Sequence, residues 1–322
     1  MQDVLPAGPT EPAGPACVLS PFQQRLVLSA CPPGSSVLDA RYTREGRMIR
    51  PVWVRVALPD GALRPLILRL DRSTEGVDHE VRLLPLLARV GLPVAEALAG
   101  PVRDPDEPDQ GAMAVYSVLP GRNLLQLIYD APKSEKPALA DLLLDAIARL
   151  QELTPRLRAL LEREHLGDPL PRRGLPYELR VATESGAVHR RPELDRATEL
   201  LAPLVARVQE PLCFWNGDFN PANFLSDGRQ LTGFVDFAHA SWHDPHYGLA
   251  RFTVYHWVHL DRALLFQRYR ERHHLSERDF ALRSAVHCLW MLHTSVPGEP
   301  VDDAYRARIL AQLDADLRRL TA

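Results

Sequence analysis

The most informative part of this chain is residues 214–240, FWNGDFNPANFLSDGRQLTGFVDFAHA. It places Asp218, Asn223 and Asp236 around a short turn between two runs of strand-forming residues. Pro221 has no backbone donor and Asn residues favour turns, so FNPAN cannot continue a strand. The following segment, NFLSDGRQLTGFVDF, predicts a hairpin that turns at its Asp-Gly pair.

This hairpin would bring two oxygen-bearing side chains together. Asn223 and Asp236 lie at its opposite ends, so pairing of the strands places them near each other. Mg²⁺ takes oxygen ligands and few of them from protein, which makes the pair a predicted magnesium site. Asp218 lies five residues before Asn223 and would face the same space with a carboxylate able to accept a proton. The alternative is that Asn-Gly-Asp and Asn-Pro-Ala-Asn are turn residues without chemistry.

Composition narrows the class of protein. The chain has 322 residues, 46% apolar and 25% charged, which is typical of a soluble globular protein with two domains or two lobes. Its net charge of −3 gives no reason to expect nucleic acid or an anionic membrane as a partner. Lys133 and Lys136 are the only lysines, so arginine supplies 36 of the 38 basic residues. A phosphate-binding site here must therefore use arginine, backbone N–H groups or a metal ion.

Cysteine usage and hydropathy predict a cytoplasmic protein. The four cysteines are scattered without a CxxC pair, which suits a reducing compartment. No apolar run approaches the roughly 18 residues that a membrane span needs. Residues 1–20 carry proline at every third position from Pro6 to Pro15 and no early Arg or Lys. They are therefore predicted to form a flexible, Pro-rich tail and not a signal peptide.

The first part of the chain has mostly strand patterns. Ser20 and Pro21 predict the start of a short helix. The later segments are strands SVLDARYT, PVWVRVAL and LRPLILRL, helix EGVDHEVRLLPLLARVG, and strands LPVAEAL and GAMAVYSVL. Residues 21–118 are thus predicted to form a small antiparallel-sheet lobe with one helix between its strands.

Helical periodicity dominates the rest of the chain. It occurs in EKPALADLLLDAIARLQEL, PRLRALLEREH and RPELDRATELLAPLVARV, and again over residues 246–258, 261–274, 277–294 and 302–320. The predicted fold class is α+β, with a larger, mostly helical lobe over residues 119–322.

Three segments together resemble one known family. NGDFNPANFL…GFVDF is similar to the H-G-D-x-x-x-x-N…I-D-[FW] signature of the aminoglycoside phosphotransferase and choline kinase-like family, relatives of the protein kinases. HDPHYGLARF resembles its D-P-x-x-D-L-A segment, and YSVLPGRNL resembles its hinge. The resemblance covers residues 35–320. It implies a protein kinase-like fold and transfer of the γ-phosphate of ATP or GTP to the hydroxyl of a small molecule, with Mg²⁺.

The resemblance also implies roles for individual residues. Asp218 would be the catalytic base, and Asn223 and Asp236 the Mg²⁺ ligands. Arg69 stands where the family has a phosphate-holding Lys, and Glu80 matches the helix Glu that pairs with that cation. Arg is a wider, permanently charged fork, so this exchange is not conservative. In the hinge, backbone groups of Tyr116, Val118 and Leu119 would pair with the nucleotide base.

Two further positions depart from the family pattern. Asn216 replaces the His of the motif, and Gly248 replaces the second Asp of D-P-x-x-D-L-A. We expect Asn216 and Asp244 to brace the catalytic loop. Because Arg69 and Asn216 are unusual, an alternative is a pseudokinase, a binding or scaffold module without turnover. The intact set of Asp218, Asn223 and Asp236 argues against it.

A second alternative is a metal-dependent hydrolase. His239, His243 and His246 lie close in sequence to Asp236 and Asp244, and such residues bind transition metals. Their spacing crosses a predicted loop, so no helix face gathers the imidazoles.

Several classes of acceptor are compatible with the sequence. The segment YHWVHLDRALLFQRYRERHH has Asp261 and Glu271 as its only acids, which weighs against a polycationic antibiotic. Macrolides, sugars, choline-like alcohols and homoserine-like amino acids stay open.

Overall fold

Two compact units make up the chain. The computed structural model describes residues 14–43, 51–71, 74–107, 109, 111–186, 192–209, 211–255, 258–293 and 303–321. The first unit comprises Met1–Leu127, Pro155–Pro169 and Asn216–Ala240, and the second comprises Ile128–Thr154, Leu170–Trp215 and Ser241–Ala322. No helix in the described ranges is long and apolar enough to cross a membrane.

Strands predominate in the first part of the chain, and helices predominate in the rest. The helices are α1 (Pro21–Ser29), α2 (Thr74–Arg89), α3 (Leu124–Asp130), α4 (Lys136–Arg163), α5 (Leu175–Gly186), α6 (Pro192–Val205), α7 (Tyr247–Ala250), α8 (Arg262–His273), α9 (Glu277–His293) and α10 (Asp303–Thr321). The strands are β1 (Ser36–Tyr42), β2 (Val52–Ala57), β3 (Leu63–Asp71), β4 (Ala97–Arg103), β5 (Ala112–Ser117), β6 (Arg122–Asn123), β7 (Arg172–Arg173), β8 (Cys213–Trp215), β9 (Phe224–Ser226), β10 (Leu231–Phe234) and β11 (Ser241–His243).

An antiparallel sheet in the order β1-β2-β3-β5-β4 forms the body of the first unit. Alternate residues of its strands face one core, as the period of two in the sequence predicts. On β2 these are Val52, Val54 and Val56, which pack with Leu66 and Leu68 of β3. The predicted α+β class, with an antiparallel sheet first and a mostly helical remainder, is confirmed.

Strand β4 lies later in the chain than predicted. The sequence placed a strand at LPVAEAL, whereas β4 begins at Ala97 and continues through Gly100 and Pro101 to Arg103. It is an edge strand whose register with β5 shifts twice. Proline is tolerated at an edge because no second neighbour needs its missing N–H group.

Part of the predicted tail is ordered against the sheet. The Tyr42 N–H donates to the Pro15 carbonyl at 3.0 Å, and the Cys17 N–H donates to the Ala40 carbonyl at 2.9 Å. These bonds extend the sheet beyond β1. Residues 1–13 of the predicted tail lie outside the described residues.

A small sheet in the order β10-β9-β6 contains the predicted hairpin. Strand β6 follows the hinge segment and pairs with β9, and the Thr232 hydroxyl donates to the Pro120 carbonyl at 2.7 Å. Gly121 has φ +98°, and a Cβ there would lie 2.3 Å from the Thr232 hydroxyl oxygen. A glycine is therefore required where the hinge joins the hairpin.

Helix α4 is continuous where the sequence predicted two helices. It contains Pro155, which removes one helical hydrogen bond and costs about 3 kcal/mol in a helix interior. Leucines on both sides, among them Leu153, Leu157 and Leu160, are buried at helical spacing. Burial of this stripe outweighs the local cost of the proline.

Helix α9 forms the centre of the second unit. Its side chains from Phe280 to Leu289 are buried, and α5, α6, α7 and α10 pack against it. A small sheet in the order β7-β11-β8 lies in the same unit. The helix predicted over residues 246–258 is shorter than expected: α7 ends at Ala250, a 3₁₀ turn covers Arg251–Thr253, and residues 256–257 lie outside the described residues.

Candidate active site

The loop around Asp218 is held by two side-chain amides. The Asn216 Nδ2 donates to the Asp218 backbone carbonyl at 2.9 Å, and the Asn223 Nδ2 donates to the same oxygen at 3.0 Å. The Asp218 carboxylate accepts the Asn220 N–H at 3.2 Å. Asn216 is 1% exposed, so its bond is protected from water. Asp218 is thus fixed on a rigid turn.

Gly217 allows this turn to form. Its φ is +108°, and a Cβ there would lie 2.7 Å from the His239 Cβ and 2.8 Å from the His239 carbonyl carbon. The backbone conformation and the close approach of a second segment both require glycine. The sequence placed this residue in the Asn-Gly-Asp turn but gave no sign of its close approach to His239.

Gly217→Ala should lower the free energy of unfolding by about 3 kcal/mol, because it combines a strained φ with overpacking against backbone. Gly228→Ala is the matched control, since Gly228 has φ +95° with nothing within 4 Å of an added Cβ. The control should lose only about 1 kcal/mol. Urea denaturation of both variants measures the difference, and equal losses would contradict the contact with His239.

The hairpin positions Asp236 beside Asn223. Phe224 pairs with Phe234, and the Val235 N–H donates to the Asn223 carbonyl at 3.0 Å. Asp236 follows with φ +65°, a left-handed conformation that non-glycine residues seldom adopt and that Asp tolerates better than most. Backbone strain of this kind is commonly found at functional sites.

Arg69 links two carboxylates. Its Nη1 donates to both oxygens of Glu80 at 2.9 and 2.8 Å, and its Nη2 donates to the Asp236 Oδ1 at 2.7 Å. Burial by itself would lower the pKa of Arg69, but the charges of Glu80 and Asp236 raise it above its ordinary value. The guanidinium is therefore charged at neutral pH.

Glu80 is the most heavily bonded group of the site. Besides Arg69, it accepts the Phe237 N–H at 2.8 Å and the Tyr116 hydroxyl at 3.1 Å, and it is 3% exposed. Burial raises the pKa of Glu80 above its ordinary value; the Asp236 charge adds to the rise, and the Arg69 charge and these two donors oppose it. Four hydrogen bonds satisfy the two oxygens of this buried carboxylate.

The hinge residues have two different environments. The Tyr116 backbone lies within β5, opposite Ile67 of β3 and Ala97 of β4, so its contact with the site is made by the side chain. Val118 and Leu119 follow β5, and no strand pairing is assigned to them among the described residues. The Leu119 side chain lies against Gly233, where a Cβ would be 2.8 Å from its Cδ1.

Asp244 belongs to the second unit and has its partners there. Its carboxylate accepts the N–H groups of His246 and Tyr247, each at 2.9 Å, and two bonds from Arg283 at 3.1 and 3.0 Å. The side chains of Arg283 and Asp244 are 1% and 2% exposed. Sequence reasoning missed Arg283, because a pair separated by 39 residues leaves no local pattern.

The three histidines of the hydrolase alternative have separate roles. The His243 Nε2 contacts Glu178 at 2.9 Å, the His246 Nδ1 contacts the Tyr269 hydroxyl at 3.0 Å, and His239 is exposed. Within the described part of the chain, no group of three or more His, Cys, Asp or Glu side chains could hold a metal ion. Nothing in this geometry favours a histidine-based metal centre.

Asn223 and Asp236 fit a hard cation chemically. The Asn223 amide nitrogen is engaged by the Asp218 carbonyl, so its carbonyl oxygen is the atom suited to a ligand. The Asp236 side chain is 44% exposed, and Arg69 contacts only one of its oxygens. Amide and carboxylate oxygens are the donors that Mg²⁺ prefers, and it takes few of them from protein.

Comparison with known protein families identifies the class of protein. A family model described as the phosphotransferase enzyme family matches residues 53–286, the greater part of the chain. The chain belongs to this family, which confirms the resemblance found in the sequence. Among curated proteins, no sequence matches the chain.

Several solved structures similar to this chain are described as aminoglycoside phosphotransferases. A thermostable mutant of APH(4)-Ia, in ternary complex with AMP-PNP and hygromycin B, has a TM-score of 0.65 at 16% identity over 93% of this chain and 99% of that one. The GDP and kanamycin complex of APH(2")-IIIa has a TM-score of 0.61 at 16% identity over 90% and 96%. A putative aminoglycoside phosphotransferase from Ralstonia eutropha JMP134 has a TM-score of 0.60 at 13% identity over 93% and 96%.

Proposed function

We propose that the chain is a small-molecule kinase, which transfers the γ-phosphate of ATP or GTP to a substrate hydroxyl in an Mg²⁺-dependent reaction. The observation that carries the proposal is the ion-pair network in which Arg69 joins Glu80 to Asp236, with Asn223 at the end of the 3₁₀ turn that leads into β9. A cation for phosphate and oxygen ligands for a metal thus lie within one unit.

In this proposal, the nucleotide is held at both ends. Arg69 would hold the α- and β-phosphates, since a guanidinium fork matches phosphate oxygens. Backbone groups of Val118 and Leu119, which follow β5, would pair with the base. Both nucleotide classes occur in the similar structures, as AMP-PNP with APH(4)-Ia and as GDP with APH(2")-IIIa, so ATP and GTP both stay candidates.

Asn223 and Asp236 would hold Mg²⁺ by their side-chain oxygens. When bound, the ion would supply charge neutralisation on the phosphate oxygens. Different hydrogen bonds position the two proposed ligands. The Asp218 carbonyl orients the Asn223 amide, and the Glu80 bond to the Phe237 N–H holds the backbone that carries Asp236.

Asp218 would orient the acceptor hydroxyl and take its proton. The hydroxyl oxygen attacks the γ-phosphorus, the bond to the β-phosphate oxygen breaks, and the nucleoside diphosphate leaves. Catalysis of this reaction is mostly positioning and charge stabilisation. The two amides that bind the Asp218 carbonyl supply that positioning, because they fix the backbone from which the carboxylate extends.

The acceptor would be a hydroxyl-bearing small molecule that is not a polycation. Both acids of the Tyr255–His274 segment make contacts within their own helix. Asp261 caps α8 by accepting the Leu264 N–H at 3.2 Å, and Glu271 accepts Gln267 at 2.9 Å. Acids engaged in this way are poorly suited to bind a cationic antibiotic.

A nucleotide-binding module without turnover is the second candidate. The contact of Arg69 with Asp236 favours it, since the guanidinium engages one oxygen of the proposed metal ligand at 2.7 Å. Active transfer requires the phosphates and the metal to replace this contact.

Asp218→Asn separates the two candidates. In the kinase, kcat should fall by about 10²–10⁴-fold, the usual contribution of a general base, while the affinity for Mg²⁺–nucleotide is retained. Release of ADP or GDP with a panel of hydroxyl acceptors measures turnover, and calorimetry measures binding. Asp227→Asn, at the exposed turn of the same hairpin, is the matched control and should be fully active.

Each result has a definite meaning. Turnover that survives in Asp218→Asn would show that Asp218 is not the base. Nucleotide binding without turnover by the wild type across the panel would favour the module. Absence of nucleotide binding by the wild type would contradict both candidates.

A further inference from the structure

We propose that Tyr116 is a positioning residue for phosphoryl transfer, whose hydroxyl acts through Glu80 on both the phosphate-binding cation and the metal-binding segment. This inference rests on the proposed function. It concerns the Tyr116 side chain, which is distinct from the backbone role expected of the hinge.

Tyr116 is built into the rigid part of the first unit. It lies on β5, which pairs with β3 on one side and β4 on the other. Its side chain is 5% exposed, and its hydroxyl donates to the Glu80 Oε2 at 3.1 Å. Burial and the Glu80 charge raise the pKa of the Tyr116 hydroxyl, so it acts as a donor.

The hydrogen bond from the Tyr116 hydroxyl acts on the Glu80 carboxylate. Its Oε1 accepts the Phe237 N–H at 2.8 Å. Phe237 directly follows Asp236, whose φ is +65°. The same carboxylate accepts two bonds from the Arg69 Nη1. Its orientation therefore governs the position of Arg69 and the backbone of Asp236 at once.

Without the Tyr116 hydroxyl, this orientation is less well defined. The Oε2 would retain only its bond from Arg69, and a buried carboxylate oxygen that has lost a donor favours rotation toward another one. Rotation would move the acceptor away from the Phe237 N–H and loosen the segment of Asp236. Phenylalanine preserves the packing of the ring and removes only the donor.

The experiment is a calorimetric titration of Mg²⁺–ATP and Mg²⁺–GTP into wild type and Tyr116→Phe, repeated without Mg²⁺. Loss of a hydrogen bond to a charged group predicts that Tyr116→Phe weakens Mg²⁺–nucleotide binding about tenfold. Adding Mg²⁺ should also increase the nucleotide affinity of Tyr116→Phe by a smaller factor than that of the wild type, because the backbone that carries Asp236 is less well held. A purely structural role for Tyr116 would not change that factor.

Tyr269→Phe is the matched control. Tyr269 is fully buried in the second unit, and its hydroxyl donates to the Pro245 carbonyl at 3.0 Å without contacting the site. In urea denaturation, this variant should lose about as much free energy of unfolding as Tyr116→Phe does. Its nucleotide affinity should remain that of the wild type. Equal weakening of binding in both variants would overturn the proposal.

A double-mutant cycle tests whether Tyr116 acts through Glu80. Glu80→Gln and its combination with Tyr116→Phe are titrated at protein concentrations that resolve millimolar dissociation constants. The double variant should bind within about twofold of Glu80→Gln alone, because contacting residues are non-additive. If the losses of affinity in the two single variants multiplied in the double variant, the proposal would be overturned. Wild-type nucleotide affinity in Tyr116→Phe would overturn it as well. A wild type that binds neither nucleotide would instead contradict the proposed function.

Discussion

Asp236→Ala should abolish the metal-dependent part of nucleotide affinity and lower turnover by at least about 10³-fold. The variant removes one of two proposed metal ligands, and phosphoryl transfer depends on neutralising the phosphate charge. Arg69 keeps its bonds to Glu80, so the phosphate-binding cation remains in place. Titration of Mg²⁺–ATP and Mg²⁺–GTP into wild type and variant, with ADP or GDP release as the rate assay, measures both effects.

Asp236→Asn controls for backbone strain at this position. Asparagine tolerates a φ of +65° at least as well as aspartate, whereas alanine does not. Loss of metal dependence in both variants would therefore come from the missing carboxylate. Near wild-type turnover in Asp236→Ala would show that Asp236 is not a metal ligand, whatever the asparagine variant does.

Arg283→Met should lower the free energy of unfolding by about 3–5 kcal/mol. The variant keeps much of the apolar bulk but leaves the Asp244 carboxylate buried without its cation. That carboxylate is 2% exposed and still carries two backbone donors, which do not replace the lost charge. Urea denaturation followed by circular dichroism measures the loss.

Two further variants test whether the loss of stability comes from breaking a buried ion pair. Arg272→Met removes an arginine whose partner Asp145 is 54% exposed, and its cost should be no more than about 1 kcal/mol. Combining Arg283→Met with Asp244→Asn should recover much of the stability, because the uncompensated charge is removed while an oxygen still caps the two N–H groups. A similar loss in Arg283→Met and Arg272→Met would contradict this account.

The hairpin of residues 224–234 illustrates what local sequence can predict. Its Asp-Gly turn, its flanking apolar residues and the proline before it act within a few residues of each other, and the structure pairs Phe224 with Phe234. Likewise, the predicted segments 261–274, 277–294 and 302–320 correspond to α8, α9 and α10. In each case, short-range preferences and burial favour the same conformation.

Three elements differ because tertiary packing overrode a local preference. Helix α4 continues through Pro155 because a buried leucine stripe continues with it. Strand β4 includes Pro101 because an edge position tolerates it. The predicted helix at 246–258 ends at Ala250 and continues as the 3₁₀ turn Arg251–Thr253, which packs against α9 and places the Thr253 hydroxyl 2.9 Å from that of Ser284. The neighbours that α4, β4 and this turn pack against are distant in sequence.

By itself, the sequence determined the α+β class, the hairpin that carries Asn223 and Asp236, and membership of a phosphotransferase family, because each rests on contiguous residues. The tertiary structure alone decided which side chains, distant in sequence, contact one another. Arg69 reaches Asp236 across 167 residues, Glu80 accepts the Phe237 N–H across 157, and Arg283 pairs with Asp244 across 39. Hydrogen bonds and charges of this kind act over a few ångströms in space and leave no trace in local residue order.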